Sequence, residues 1–349
     1  MIHYPIDLQQ KGQWLIYRSV EEYTFSIWRR YEFLALDLAV FEATINALVD
    51  RHESLRTSFA VVEGNVMHQV HPPAEAVYRL RLIDVSEAPP GADYPAFVES
   101  VIAANTPFDF DLEKLPLFRV SVFKTIDRYI AVFCIAHAFF DEPSATLFEE
   151  EFRAIYASLL ESGQCRLAPP ACQLRDYFRW KLDLGGGALA DEVKRYWKQS
   201  FFAENTGWLE TVRREYAHRD AFGRGPVSGA TDSDLAILAK TIPVRTAPRM
   251  GKHLVTDERM HARINRLVQA EGVTPFAYFL SAFGVWLYKL LDRRNSLITL
   301  PASHRVDERF DRVIGWFVSS AYVNTGVEET IPFREHLRRV FRQLPRHIR

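Results

Sequence analysis

The stretch Ile135-Ala136-His137-Ala138-Phe139-Phe140-Asp141-Glu142 carries most of the structural information in this chain. An unbroken apolar run from Tyr129 leads directly into it and is typical of a buried strand. The segment that opens with Pro143-Ser144 predicts a helix, because its apolar residues fall on one face: Leu147, Phe148, Phe152, Ile155, Tyr156 and Leu159. The pattern therefore predicts an imidazole where a buried strand ends and a carboxylate in the turn behind it.

His137 allows two interpretations at this position. It is either a core histidine capped by a local hydrogen bond, or a proton-handling group, because a strand end is rigid yet reaches a cleft. The spacing alone leaves both interpretations open, and the rest of the chain is needed to choose between them.

Length and composition indicate a globular protein with two domains, since its 349 residues are 48% apolar and 25% charged. The helix and strand patterns of both halves indicate the mixed α/β class. A net charge of −1 gives no indication of a nucleic acid or an anionic membrane as partner. No apolar stretch approaches the length of a bilayer span, and the first residues lack the pattern of a signal peptide. The three cysteines form no disulfide or metal pattern, so we expect reduced thiols in a cytoplasmic protein.

The first half of the chain alternates helix and strand signals. Asp37 is a plausible N-cap of a helix, and Glu63-Gly64-Asn65 separates two apolar runs as in a β-hairpin. Further strands are predicted at 77–83, 117–123 and 129–135, and helices at 94–104 and from Asp141 to about 160. Pro169-Pro170 marks a boundary, which divides the chain into an N-terminal lobe, 1–170, and a C-terminal lobe, 171–349.

The second half resumes this pattern after a weakly patterned segment. Residues 204–248 are polar and predict a long connection. Helices are predicted at 191–201, 257–270, 275–291 and 335–346, and extended segments at 253–256, 296–300 and 313–323. The last helix is basic and amphipathic, and nothing follows that covers its apolar face. We therefore expect the chain to be truncated at its C-terminus.

Five segments, in this order, resemble motifs of the condensation domains of nonribosomal peptide synthetases. These domains belong to the acyltransferase superfamily marked by an H-H-x-x-x-D-G signature. The most specific match is Arg51-His52-Glu53-Ser54-Leu55-Arg56-Thr57-Ser58-Phe59, which resembles R-H-E-x-L-R-T-x-F. The other segments with family counterparts are 10–14, 107–109 with 115–119, 174–180 with 196–197, and 314–318. The resemblance implies two chloramphenicol-acetyltransferase-like lobes in a V-shaped pseudodimer.

The active-site motif departs from the family pattern at two of its positions. His137 and Asp141 match the second His and the Asp, whereas the first His is Ala136 and the Gly is Glu142. Further along, two serines replace the Asn and Thr of I-G-x-F-V-N-T: Ser319 and Ser320. The resemblance implies that the first His is structural, so that its loss is tolerated. A carboxylate at 142 is expected to narrow the channel or to raise the pKa of a neighbour, and all four altered positions are expected to modulate the channel.

The implied reaction is acyl transfer between two thioesters held by carrier proteins. The amine of the downstream aminoacyl thioester attacks the upstream acyl or peptidyl thioester, and His137 accepts a proton or hydrogen bond from that amine or positions it. Asp141 is expected to turn into the protein and to pair with Arg305 or, failing that, with Arg56. The domain itself binds no cofactor. Its partners are the upstream and downstream carrier proteins, which deliver substrates on phosphopantetheine, and the neighbouring synthetase domains.

Two alternatives remain beside this interpretation. The altered motif also fits a catalytically impaired domain that recruits a partner protein, and a stand-alone acyltransferase with a diffusible thioester shares the chemistry. No metal or nucleotide motif occurs, and His68 and His71 are predicted to be surface strand residues. His52 is predicted to pack at a helix end, and His304 is a candidate to support the site. The sequence names neither the donor nor the acceptor.

Overall fold

The structure is a computed structural model of the chain. It describes residues 2–19, 25–106, 109–184, 191, 195, 257–291, 294 and 296–344. These residues form two compact units. The first contains the described residues up to 195 together with Asp307–Trp316, and the second contains those from 257 to Val306 and from Phe317 onward. None of the described helices is long and apolar enough to cross a membrane.

The first unit combines two β-sheets with helices. Its helices are α1 (Leu8–Ser19), α2 (Leu38–Arg51), α3 (Tyr94–Ala104), α4 (Glu142–Ser162) and α5 (Leu174–Leu184). Its strands are β1 (Ile2–Pro5), β2 (Ser26–Phe33), β3 (Thr57–Val62), β4 (Asn65–Val70), β5 (Arg81–Asp84), β6 (Phe118–Lys124) and β7 (Tyr129–Ala136). The strand orders are β1-β4-β3 and β2-β7-β6-β5, and every pair is antiparallel except β5 with β6.

Strand β7 lies inside the larger sheet, between β2 and β6, and all of its residues after Tyr129 are buried. On one face Phe133 packs against aromatic rings of α2 and α4. On the other face Ile130 and Val132 share a core cluster with Val98 and Ile102 of α3. Because both faces are covered, the strand is apolar throughout instead of alternating, and the predicted central strand is confirmed.

Most elements predicted for this unit are confirmed. Asp37 caps α2 by accepting a hydrogen bond from the Val40 N–H at 3.0 Å. The β3–β4 hairpin turns through Glu63 and Gly64, both with positive φ. The strand predicted at 77–83 is shorter than expected, because only Arg81–Asp84 pairs with β6. The sequence pattern does not predict strand β2, since its Trp-Arg-Arg-Tyr-Glu core carries three charges at a sheet edge.

The division of the chain in space does not coincide with the composition break at residue 170. Helix α5 follows that break but packs within the first unit, where the ring centroids of Phe178 and Tyr4 lie 6.0 Å apart. Tyr177 contacts Phe310, from the segment 307–316 that returns to this unit, at 5.4 Å. Contacts between aromatic rings so distant along the chain leave no mark in local composition.

In its described residues the second unit combines three helices with a two-stranded antiparallel sheet. Its elements are α6 (Glu258–Glu271), α7 (Pro275–Leu291), β8 (Leu297–Ser303), β9 (Val318–Asn324) and α8 (Phe333–Gln343). The predicted helices at 257–270 and 275–291 and the strand at 296–300 are confirmed, whereas the extended segment at 313–323 becomes a strand only from Val318. The elements predicted at 191–201, 204–248 and 253–256 lie outside the described residues, apart from 191 and 195.

A buried ion cluster joins the C-terminal end of α2 to the middle of α4. The carboxylate of Glu151 lies 2.6 Å from His52 Nε2 and 2.7 Å from Arg51 Nε, and both His52 and Glu151 are almost completely buried. Burial opposes ionisation of Glu151, but the hydrogen bonds from His52 and Arg51 outweigh it and lower its pKa to about 2. The R-H-E segment therefore contributes a charge contact in addition to the helix-end packing that the sequence predicts.

The position of His68 corrects a prediction. The sequence places it on a surface, but it is fully buried, and no described group bonds to either ring nitrogen. Four aromatic side chains surround it: Tyr4, Phe59, Phe139 and Phe178. Burial lowers the pKa of His68 to about 3, so the imidazole is neutral in the folded protein. The alternation of polar and apolar residues along β4 predicts that one face of the strand is exposed. Helix α5, which is distant in sequence, covers that face and buries His68.

Replacing the carboxylate of the ion cluster should be costly. We expect Glu151→Gln to lower the free energy of unfolding by about 3 kcal/mol, because Arg51 and His52 lose a buried charged partner. The contribution of Glu151 should be complete above its unfolded pKa of about 4.3 and decline as the pH falls towards 2. Urea unfolding at pH 7 measures the loss of stability, and a second measurement at pH 4 shows how the contribution of Glu151 changes with pH. Glu150→Gln, at an exposed neighbour, should cost less than about 1 kcal/mol. Equal losses in the two variants would contradict the role of the cluster.

The second prediction concerns acid sensitivity. The unfolded chain binds a proton at His68 below about pH 6.5, whereas the folded chain does so only near pH 3. Stability should therefore fall by about 1.4 kcal/mol per pH unit on acidification within this window. His68→Phe should remove this part of the slope in urea titrations between pH 7.5 and 4.5. His261→Gln, at an exposed histidine, should retain the wild-type slope. A His68→Phe slope equal to that of the wild type would show that His68 is not the group responsible.

Candidate active site

His137 directly follows strand β7 and begins a short 3-10 turn, His137–Phe139. Its backbone N–H donates to the carbonyl of Phe25 at 2.9 Å. Its ring Nδ1 lies 2.7 Å from the carbonyl oxygen of Phe140, whose own N–H donates back to His137 O at 3.3 Å. The backbone and the half-buried ring of His137 are therefore both held by this turn.

These bonds determine which ring nitrogen carries the proton. A carbonyl oxygen only accepts, so Nδ1 must be the donor, and in the neutral ring Nε2 keeps its lone pair. No group in the described part of the chain bonds to Nε2. The arrangement therefore presents a basic nitrogen on a fixed ring, as a general base or a positioning group requires.

Asp141 caps the N-terminus of helix α4, and the residue is only 1% exposed. The Oδ1 atom accepts a hydrogen bond from the Ser144 N–H at 2.9 Å and lies 2.6 Å from Ser144 Oγ. Ser144 in turn contacts the backbone of Gly315, with Oγ 2.8 Å from its carbonyl oxygen and 3.0 Å from its nitrogen. Asp141 thus shapes the turn that follows His137.

The two arginines predicted to pair with Asp141 have different surroundings. Arg56 donates to the carbonyls of Val49 and His71, at 3.2 and 2.5 Å. Arg305 lies in the second unit, where its guanidinium stacks 3.8 Å above the ring of Phe317. The neighbouring His304 N–H donates to Phe317 O at 2.7 Å. The Asp141–Arg305 pair stays a prediction.

The altered motif positions have distinct environments. Ala136 is fully buried and donates its N–H to Leu117 O at 2.9 Å. The side chain of Glu142 is 73% exposed and forms an ion pair with Arg29 of β2. As the first residue of α4, its carboxylate also interacts favourably with the helix dipole. The two serines lie in β9 of the second unit, in register with β8: Ser319 opposite Ala302 and Ser320 opposite Pro301.

Two contacts to the His137 turn are absent from the sequence-based predictions. Gln10 of α1 is fully buried, and its Nε2 donates to Ala138 O at 3.1 Å. Ser144 joins the turn to Gly315, which is 171 residues away in sequence. Gln10 and Gly315 belong to segments that resemble family motifs, and Ser144 occupies the third position after a cap, where side-chain bonds to the cap are common. These features of the sequence are the signals that could have identified the two contacts. No group of His, Cys, Asp and Glu side chains within the described ranges could hold a metal ion.

Comparison with known proteins identifies the family. The model of the condensation domain family matches residues 2–348. The chain belongs to the condensation domain family. A linear gramicidin synthase of Brevibacillus parabrevis is 26% identical over 344 residues, which are 97% of this chain and 6% of that relative. Cyclosporin synthetase simA of Tolypocladium inflatum is 28% identical over 296 residues, 84% of this chain and 2% of that relative. This condensation domain thus spans only a small part of the length of the relatives that it matches.

Solved structures support the same fold. The first condensation domain of the CDA synthetase has a TM-score of 0.66 and 16% identity, and the match covers 98% of this chain and 75% of that one. The X-domain from teicoplanin biosynthesis has a TM-score of 0.69 and 21% identity, covering 96% and 68%. The mixed α/β, chloramphenicol-acetyltransferase-like fold predicted for the domain is confirmed.

The geometry at His137 predicts a single neutral tautomer. We expect the Nδ1–H form to dominate at pH 8, because Nδ1 bonds to the carbonyl of Phe140. Long-range ¹H–¹⁵N NMR of histidine-labelled protein distinguishes a protonated from an unprotonated ring nitrogen, and His137→Gln assigns the signal. A dominant Nε2–H form would contradict the arrangement described here.

Proposed function

We propose that this condensation domain forms an amide bond between an acyl or peptidyl group and an aminoacyl group, each held as a thioester on a carrier protein. The observation that carries the proposal is the state of His137, whose ring is fixed through Nδ1 while Nε2 remains basic. His137 is only half-buried, unlike the core histidine His68, and no group among the described residues bonds to its Nε2, which favours a proton-handling group over a core histidine.

The reaction needs one proton acceptor and one leaving group. The amine nitrogen attacks the thioester carbonyl carbon while Nε2 of His137 accepts its hydrogen bond and then its proton. The tetrahedral intermediate collapses, the carbon–sulfur bond breaks, and the proton passes to the departing thiolate. The Phe140 carbonyl, which accepts from Nδ1–H, stabilises the positive ring in between.

The remaining site residues act around His137. In this proposal Asp141 and Arg305 support the turn that carries His137. The four altered positions, Ala136, Glu142, Ser319 and Ser320, modulate the channel. Glu142 forms an ion pair with Arg29, which holds the added carboxylate at the surface of the first unit. We therefore expect the effect of Glu142 on the channel to be small.

The partners follow from the same chemistry. Carrier proteins upstream and downstream present phosphopantetheine thioesters, and neighbouring synthetase domains load them, while the domain itself binds no cofactor. The similarity to parts of long peptide synthases supports this arrangement. A cytoplasmic location belongs to the proposal and is supported by three cysteines without a disulfide, Cys134, Cys165 and Cys172.

The proposal predicts a defined pattern of products. The full-length protein with its own loaded carrier proteins should yield the amide product by mass spectrometry, and His137→Ala should reduce it at least about 100-fold, since the proton acceptor is lost. Glu142→Gly should leave product formation intact or raise it, because it removes a carboxylate near the path to His137. The matched control is His261→Ala, at an exposed histidine of α6, which should behave like the wild type.

Two outcomes would contradict the proposal. Product that persists in His137→Ala would remove His137 from the mechanism. No product from either the wild type or Glu142→Gly would favour a domain that recruits a partner protein, and affinity capture of neighbouring enzymes would then be the relevant assay.

A further inference from the structure

We propose that Ser144 is a positioning residue, which holds the His137 turn and the segment around Gly315 together as one rigid piece. The inference rests on the proposed function for its catalytic consequence, but its structural part can be tested without any activity. Ser144 follows the signature and bonds to Asp141, so it acts on His137 through Asp141.

Ser144 lies at a junction of buried polar groups. It is fully buried, and its Oγ lies 2.6 Å from Asp141 Oδ1 and 2.8 Å from Gly315 O. The Gly315 N–H donates to the same oxygen at 3.0 Å. A hydroxyl carries one proton and two lone pairs, so it donates between the two acceptors while a lone pair accepts from Gly315. This hydroxyl therefore contacts both backbone groups of Gly315 and shares its one proton between Gly315 O and Asp141 Oδ1.

The segment around Gly315 needs such a directional contact. Its neighbours Val313, Ile314 and Trp316 are buried, and Ile314 belongs to the core cluster formed with α2, α4 and β7. Apolar burial keeps the segment in the core but is non-directional, so it tolerates small shifts along the chain. Hydrogen bonds to both the N–H and the C=O of one residue exclude those shifts, because each has a narrow range of distance and angle.

The same hydroxyl reaches His137 through one peptide plane. The carbonyl of Phe140 that accepts from His137 Nδ1 belongs to the peptide bond joining Phe140 to Asp141. A backbone shift at Asp141 that turns this peptide plane therefore moves the carbonyl away from the ring. Asp141 is held by bonds from the N–H and the Oγ of Ser144, and loss of the hydroxyl removes the shorter of the two. The expected result is a less well oriented His137, and small misplacements of a catalytic group lower the rate strongly.

Helix α4 provides a matched control. Ser158 is also buried in α4, and its Oγ donates to Gln164 O at 2.7 Å and accepts from the Arg166 N–H at 3.2 Å. It thus makes the same kind of bond, to a backbone carbonyl and a backbone N–H outside the helix, but near the helix C-terminus. Removing either hydroxyl should cost similar stability, whereas only one of them adjoins the His137 turn.

The experiment compares Ser144→Ala with Ser158→Ala in the full-length protein. We expect Ser144→Ala to lower kcat at least about 10-fold with KM for both loaded carriers within about twofold, and Ser158→Ala to keep kcat within about twofold. Ser144→Cys, of similar size but a weaker hydrogen-bonding group, should show the same loss of kcat and serves if the alanine variant does not fold. Equal kcat losses at positions 144 and 158, or none at 144, would overturn the inference.

Two measurements test the structural part independently of turnover. In Ser144→Ala the Gly315 amide should exchange with deuterium at least about 10-fold faster, and the His137 ring should show both neutral tautomers by ¹⁵N NMR. Ser158→Ala should change neither. If the wild type forms no product, the proposed function fails while these readouts still decide the role of Ser144. An unchanged Gly315 exchange rate and a single His137 tautomer would refute it.

Discussion

The structure of the first unit depends on the burial of strand β7 on both faces. Helices α2 and α4 cover one side and α3 covers the other, so the strand has no solvent-facing residues beyond its first. A strand buried in this way cannot carry a polar group along its length without a partner. The first polar side chain, His137, therefore comes where the strand ends, and the rigid sheet determines its position.

Buried polar groups then connect segments that lie far apart in sequence. Glu151 joins α4 to the end of α2 through His52 and Arg51, and Ser144 joins the start of α4 to Gly315. Each is an inward-facing polar group of one helix, and each is stable only because its partners are present, since an unpaired buried charge or hydroxyl is costly. Helix α4 thus links the R-H-E segment, the His137 turn and the segment around Gly315, so motifs that are far apart in sequence lie together in the first unit.

The departures from the family signature leave this framework in place. Ala136 fits the buried end of β7 without a polar group to satisfy, and Glu142 lies at the surface of the unit with Arg29 as its partner. The environment of His137 depends instead on backbone carbonyls, those of Phe25 and Phe140, which do not change with side-chain identity. An altered motif is therefore compatible with an intact arrangement around the basic nitrogen.

Sequence alone determined the elements whose signal is local. The apolar run of β7, the stripe and cap of α2, the hairpin at Glu63-Gly64 and the limits of α3 and α7 all follow from periodicity and capping, which involve neighbours within a few residues. The motifs also placed His137 and Asp141 at the end of a buried strand and identified the family. Only the tertiary structure decided that His68 is buried, that α5 belongs to the first unit, and that Ser144 binds Gly315. Those features depend on contacts between residues far apart in the chain, and the free energy of such contacts is not encoded in any one segment.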